Sequence, residues 1–191
     1  MTKVFFLGFN KTATTSIHRL FEFSDYVSYH HLIGGKNLAK VMDGNLRNNK
    51  PILHNISGAT AYSDLSYYKK NQTIEGNQWY SELYKEYPDS FFILQTRNID
   101  DWLDSRTKHK KGHFIRRCMN SHDVETKDEM RELWRKERED RENKIRIFFR
   151  GHPKFMVFDI DNDPIDRLIR HLKPEIKLNK DGWQVHNKTY K

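Results

Sequence analysis

The chain has 191 residues, a formal net charge of +8 and one cysteine, Cys118. This length suits a single domain over residues 1–191. The lone cysteine excludes an intrachain disulfide and a cysteine-based metal cage. No apolar run is long enough for a secretory core or a membrane span, so the sequence predicts a cytoplasmic protein without a membrane segment. The positive charge predicts attraction to anions but does not choose among nucleic acid, an anionic membrane surface and a phosphorylated small molecule.

The first half of the chain alternates short apolar runs with segments of helical periodicity. The sequence predicts strands at residues 3–8 and 26–31, helices at 14–23, 37–46 and 78–87, and an extended stretch starting at 51–55. The third helix should end before Pro88, since the residue before a proline is pushed away from helical geometry.

The second half contains two continuous apolar runs, residues 90–96 and 154–160, which are typical of strands buried on both faces. Asn98 is predicted to cap a helix after the first run. Residues 127–149 and 164–172 have the apolar spacing of two further helices. Apolar strands alternating with helices predict an α/β fold with three α/β/α layers around a mainly parallel sheet.

A polar loop follows the first predicted strand, where open α/β sheets place their ligands. After Gly8 it contains Asn10, Lys11, Thr12, Ala13, Thr14, Thr15 and Ser16. Backbone N–H groups at the start of the next helix, hydroxyl donors and one lysine together suit phosphate-like oxygens. The P-loop motif of nucleotide hydrolases is absent because no glycine directly precedes Lys11, and the dinucleotide fingerprint lacks its later glycines. The loop therefore predicts an anion site whose ligand the residues alone leave open.

Two segments resemble the sulfotransferases. GFNKTATTSIHRLF is similar to the family's loop that binds 3′-phosphoadenosine 5′-phosphosulfate (PAPS), although Ala13 stands where glycine is usual. FFILQTRNIDDWLDS is similar to the second signature, which implies that Arg97 and Ser105 bind the 3′-phosphate of PAPS or of its product 3′-phosphoadenosine 5′-phosphate (PAP). Weaker likenesses cover residues 141–172 and the tail WQVHNKT.

The resemblance implies a PAPS-dependent sulfotransferase with a P-loop-like fold. Its donor would be held by residues 10–16 with Arg97 and Ser105, and Lys11 would stabilise the leaving group. The acceptor would be a small molecule or a glycan rather than a nucleic acid. We predict no metal, because a sulfuryl group carries one fewer negative charge than a phosphoryl group and a lysine with hydroxyl groups can then suffice. The oligomeric state stays open.

Sulfuryl transfer to a hydroxyl or amine also needs a group that takes the acceptor proton. By the resemblance, Asp64 falls where some members carry their base. His31 and His30, after the predicted second strand, are the competing candidates. His109 and His113 have the i, i+4 spacing of a metal pair, but the lysines around them favour a basic lip over the donor or an acidic acceptor.

Two other classes of function stay open at this point. Lys11 and Asp159 could serve a magnesium-dependent kinase or hydrolase of the same fold. The net charge also allows a non-enzymatic binder of nucleic acid, although no basic stripe with interleaved aromatic residues is present.

Overall fold

The computed structural model describes residues 2–69 and 72–184. Its strands are β1 Val4–Phe6, β2 Ser28–His30, β3 Leu32–Ile33, β4 Lys36–Asn37, β5 Ala61–Ser63, β6 Ser66–Lys69, β7 Gln72–Glu75, β8 Phe91–Thr96 and β9 Phe155–Asp159. Its helices are α1 Thr14–Phe23, α2 Leu38–Arg47, α3 Tyr80–Glu86, α4 Ile99–Lys108, α5 His113–His122, α6 Lys127–Phe148 and α7 Ile165–Leu172, with 3₁₀ turns at Gly76–Trp79 and Lys180–Gly182.

The central sheet has the strand order β4-β3-β2-β5-β1-β8-β9. Five neighbouring strands, from β2 to β9 in this order, run parallel, and the short strands β3 and β4 extend one edge in antiparallel fashion. Strands β6 and β7 form a separate antiparallel hairpin. The chain places β2 and β5 on one side of β1, and β8 and β9 on the other.

Alternate residues of the central strands fill a core on each face of the sheet. Phe5 packs with α2 and the end of α6, whereas Val4 and Phe6 pack with α1 and α7. Helices therefore cover both faces, which confirms the predicted three-layer α/β architecture. None of the helices in the described chain combines the length and the apolar character that a membrane span requires.

The extended stretch predicted at residues 51–55 is wrong, because this segment is a series of turns and the next strand, β5, begins only at Ala61. Side chains replace a strand partner here. Asn45 donates to the carbonyl oxygens of Ile52 and His54, both at 3.0 Å, and the Glu86 carboxylate accepts from the Ile52 N–H. The apolar side chains of the segment are thus buried without extended geometry.

The two strongest strand predictions differ in outcome. All six residues of β8 are buried, as a central strand requires. In β9 buried and half-buried residues alternate, because this strand lies at the edge of the sheet, so the prediction of burial on both faces is wrong there. In the tail that resembles the family, residues 185–189 lie outside the described residues, whereas Trp183 is described.

Candidate functional site

A cavity of about 1060 Å³ opens at the carboxyl ends of the parallel strands. The predicted site residues that line it are Asn10, Lys11, Ala13, Thr14, Thr15, Ser16, His31, Asp64, Arg97 and Ser105. Ser105 lies on α4; the others come from the ends of β2, β5 and β8 or from the loop after β1. Parallel strands bring them together because all their carboxyl ends meet at one edge of the sheet.

The loop of residues 8–16, called the Lys11 loop below, has an unusual backbone. Lys11 and Ala13 have φ values of 68° and 60°, in the left-handed region that favours glycine. Ala13 is the N-cap residue of α1. Thr12 is fully buried and its hydroxyl donates to the Phe9 carbonyl oxygen at 2.5 Å, so this side chain shapes the loop instead of lining the cavity. The expectation that the Thr12 hydroxyl faces the donor is therefore wrong.

Gly8 is required by a close approach to the neighbouring strand. A Cβ at this position would lie 2.1 Å from the backbone oxygen of Gln95. The Gly8 N–H donates to the Gln95 side chain at 2.9 Å. The contact fixes the beginning of the Lys11 loop against β8.

A buried network joins the Lys11 loop to the end of β8. The Trp102 indole N–H donates to the Asn10 carbonyl oxygen at 2.9 Å. The guanidinium of Arg138, on α6, lies 4.8 Å from the centre of the Trp102 ring and donates to the Arg97 carbonyl oxygen and the Thr96 hydroxyl, both at 2.6 Å. Arg138 is only 3% exposed. The two segments that resemble the family's donor-binding signatures are therefore fixed relative to each other.

The Arg97 side chain lies where this network meets the cavity. Its Nη2 is 3.4 Å from Asp161 Oδ1, and its Nε is buried with no hydrogen-bond partner within the described chain. Ser105 lies in the second turn of α4 on the same cavity wall. Asn98 caps that helix as predicted, since its side chain accepts from the N–H groups of Asp100 and Asp101.

Of the two histidines at the end of β2, His30 is the one that lies beside Asp64. Its Nε2 is 3.7 Å from Asp64 Oδ2 and 3.2 Å from the Thr14 hydroxyl, and burial lowers the pKa of His30 although Asp64 opposes the shift. The Ser66 hydroxyl donates to the other Asp64 oxygen at 2.5 Å. His31 is exposed and contacts Asn37 instead, with 3.3 Å between their side-chain nitrogens.

The Lys11 ammonium lies in a field of mixed charge. Burial lowers its pKa, Asp64 raises it, and Lys110 and Arg106 lower it further. The effect of Lys110 and Arg106 on the pKa of Lys11 is thus opposed by the Asp64 carboxylate. A bound anion would favour the charged form of Lys11.

His109 is a cavity residue whose character the sequence did not reveal. Burial, together with Lys11 and Lys110, lowers the pKa of His109 to about 4, so the imidazole is neutral at pH 7 and can accept a hydrogen bond. His109 ends α4 and His113 begins α5, with residues 110–112 all left-handed between them. The two histidines therefore do not share a helix, and the metal-pair spacing has no structural counterpart. No sequence signal shows that His109 lies near Lys11, because this proximity depends on how the chain turns between α4 and α5.

Asp159 is the last residue of β9, and its side chain bonds to the turn that follows. Its carboxylate accepts from the Asp161 N–H at 3.0 Å and from the Asn162 amide at 2.9 Å. Within residues 2–69 and 72–184, Asp159 does not line the cavity and no three His, Cys, Asp or Glu side chains group as metal ligands would. The alternative reaction with Lys11 and Asp159 therefore gains no support from the geometry.

A lysine, hydroxyl groups and a helix N-terminus at the carboxyl edge of a parallel sheet are typical of α/β proteins that bind phosphate-like anions. A family model described as a sulfotransferase domain matches residues 3–161, which run from the start of β1 to the turn after β9. The chain belongs to the sulfotransferase family, and this membership makes it a transferase. No curated protein matches the chain.

Proposed function

We propose that the protein transfers the sulfuryl group of PAPS to a hydroxyl or amine of an acceptor. The observation that carries the proposal is that the Lys11 loop and Arg97 line one cavity. The first supplies a helix N-terminus and a lysine for the phosphosulfate, and the second a guanidinium fork for the 3′-phosphate.

Donor binding would use groups that the protein already holds in place. Asn10, Lys11 and residues 13–16 would contact the phosphosulfate. The unpartnered Nε of Arg97 is a donor for a phosphate oxygen. Arg97 would exchange its partly exposed contact with Asp161 for that phosphate. Ser105, on the same wall, would add a hydroxyl donor.

In the transfer itself, the acceptor oxygen or nitrogen would form a bond to sulfur while the bond from sulfur to the 5′-phosphate oxygen breaks. Negative charge builds on that oxygen of the departing PAP. Lys11 would stabilise this charge, and a preorganised donor of this kind is worth about 3 kcal/mol. The proposal includes no metal, because the lysine, the hydroxyl groups and the backbone N–H groups supply the stabilisation.

Asp64 is the proposed acceptor of the proton. Its carboxylate lines the cavity and is oriented by the Ser66 hydroxyl. His30 Nε2 lies 3.7 Å from Asp64 Oδ2, and the pKa of this histidine is lowered. His31, also on the wall, is the second candidate, but its contact with Asn37 turns it toward the exposed β3–β4 edge.

The test compares PAP and ATP, each with and without magnesium, by thermal shift and calorimetry. PAP at 100 times its dissociation constant should stabilise the wild type by about 2.7 kcal/mol, which corresponds to a rise in Tm of roughly 5–10 °C. Lys11→Ala should abolish transfer of labelled sulfate from PAPS and leave the far-UV circular dichroism unchanged. Arg97→Ala should weaken PAP binding, whereas Lys136→Ala, an exposed position on α6, should have no effect. Full transfer by Lys11→Ala, or stabilisation by magnesium-ATP alone, would refute the assignment.

A further inference from the structure

The cavity has a second half that the proposed donor contacts do not use. Arg97 directly follows β8 and Ser105 lies in α4, on one side of β1, whereas β2 and β5 end on the other side. The β6–β7 hairpin and α5 border this second half, and they contact each other. A volume of about 1060 Å³ exceeds what one small ligand usually occupies.

Four exposed cations line the cavity in addition to the proposed donor contacts. They are Lys40 on α2, Lys69 on β6, Lys110 between α4 and α5, and Arg117 on α5, and they are called the basic rim below. No ion pair joins any of them to a carboxylate in the part of the chain that the structure describes.

Aromatic rings lie inside the basic rim. The ammonium of Lys40 is 5.2 Å from the centre of the Tyr67 ring. Tyr68 and Phe114 meet edge to face with their ring centres 5.0 Å apart, and they join the hairpin to α5. All three rings line the cavity, so a ring-shaped acceptor would find apolar faces beneath the cations.

Carboxylates are distributed unequally over the cavity wall. Asp101 and Asp104 lie on α4, and Asp161 follows β9. Asp104 is already paired with Arg131, and Asp161 is paired with Arg97. Asp64 is the carboxylate of the second half, together with the imidazoles of His30 and His31.

The local field agrees with this distribution. Lys11 and Lys110 help to lower the pKa of His109, and Lys110 also helps to lower the pKa of Lys11. Asp64 opposes both shifts, so two ammonium groups face one carboxylate where the cavity meets the Lys11 loop.

We infer that the acceptor is a small ring compound that already carries a carboxylate or sulfate group, held by the basic rim with its nucleophile directed toward Asp64. This inference rests on the proposed function. None of the rim cations is among the proposed donor contacts, so an anion on the acceptor is what they would neutralise. Charged groups placed in this way select among ligands and speed their association more than they add affinity.

The experiment measures acceptor binding by calorimetry with the cavity both empty and saturated with PAP. The probes are two matched pairs that differ in one charge. The sugar pair is 4-nitrophenyl β-D-glucuronide and 4-nitrophenyl β-D-glucoside, and the phenol pair is 3-(4-hydroxyphenyl)propionate and its neutral amide. The variant Lys40→Glu/Arg117→Glu reverses the charge at two of the four rim positions, one on α2 and one on α5, while Lys69 and Lys110 stay, so the net charge of the rim falls to zero. The control Lys136→Glu/Lys144→Glu makes the same change in net charge at exposed positions of α6.

In the wild type, at least one charged probe should bind about tenfold more tightly than its neutral partner, and the pair that shows this identifies a sugar or a phenol as the acceptor. The rim variant should lose the preference and the control should keep it. The inference is overturned if, in both pairs, the charged and the neutral probe bind equally well or neither binds measurably. It is also overturned if the rim variant and the control variant lose the preference for the charged probe to the same extent. Failure of PAP to bind would instead refute the proposed function, while the titrations without PAP still report on the rim.

Discussion

Ala13→Gly should stabilise the protein, although replacing alanine by glycine normally does the opposite. Ala13 has φ 60° and ψ 23°, the left-handed conformation, at the N-cap of α1. An L-residue with a Cβ pays about 1–2 kcal/mol there, which glycine does not. Glycine in turn makes the unfolded chain freer, at a cost of about 0.4–1 kcal/mol. The net expectation is a gain of roughly 0.5–1 kcal/mol, and hence a rise in Tm of about 1–4 °C for a chain of this length.

Urea unfolding followed by circular dichroism gives the free energy of unfolding of both proteins. The matched control is Ala39→Gly, at a fully buried helical position of α2, which should lose about 1 kcal/mol or more because of helix propensity and lost packing. PAP affinity should be preserved in Ala13→Gly, since glycine adopts the same backbone geometry. If Ala13→Gly destabilises the protein as much as the control does, the left-handed backbone at this position is not a source of strain and the reasoning fails.

Three further perturbations test the elements that position the site. Gly8→Ala should cost about 3 kcal/mol or more in unfolding free energy, because its Cβ would meet the Gln95 backbone oxygen at 2.1 Å; normal stability would show that β1 and β8 can separate there. Trp102→Phe removes the hydrogen bond to Asn10 while keeping a ring under Arg138, so PAP affinity should fall about fivefold, corresponding to roughly 1 kcal/mol; calorimetry that finds unchanged affinity would contradict the role of the network. His109→Gln tests the lowered pKa of His109. Between the ordinary pKa of 6.5 and the folded-state pKa of about 4, the unfolded chain binds a proton at His109 and the folded protein does not. The wild type therefore loses stability as the pH falls through this range. From pH 7 to pH 5 the wild type should lose roughly 1 kcal/mol more than the variant, after allowance for partial exposure, and parallel curves in urea titrations would refute the pKa shift.

The amino-acid sequence determined the class of fold and pointed to the residues that line the candidate site. Apolar runs of strand length separated by helical periodicity require a parallel sheet covered on both faces, because no other arrangement buries them all. The Lys11 loop and Arg97 were identifiable as well, since each directly follows a strand and its motif is local in the chain. The extent of the single domain over 1–191 and a cytoplasmic location stay predictions.

Only the tertiary structure decided what depends on contacts between distant segments. The buried tie from Arg138 through Trp102 to Asn10 joins three elements, and no spacing in the chain encodes it. The edge position of β9 followed from strand order, which local propensity does not set. The pairing of Asp64 with His30 follows from the adjacency of β2 and β5 in the sheet. The neutral state of His109 follows from burial and from the charge of Lys11 nearby. These properties exist only once the strands, the hairpin and the helices enclose a common space.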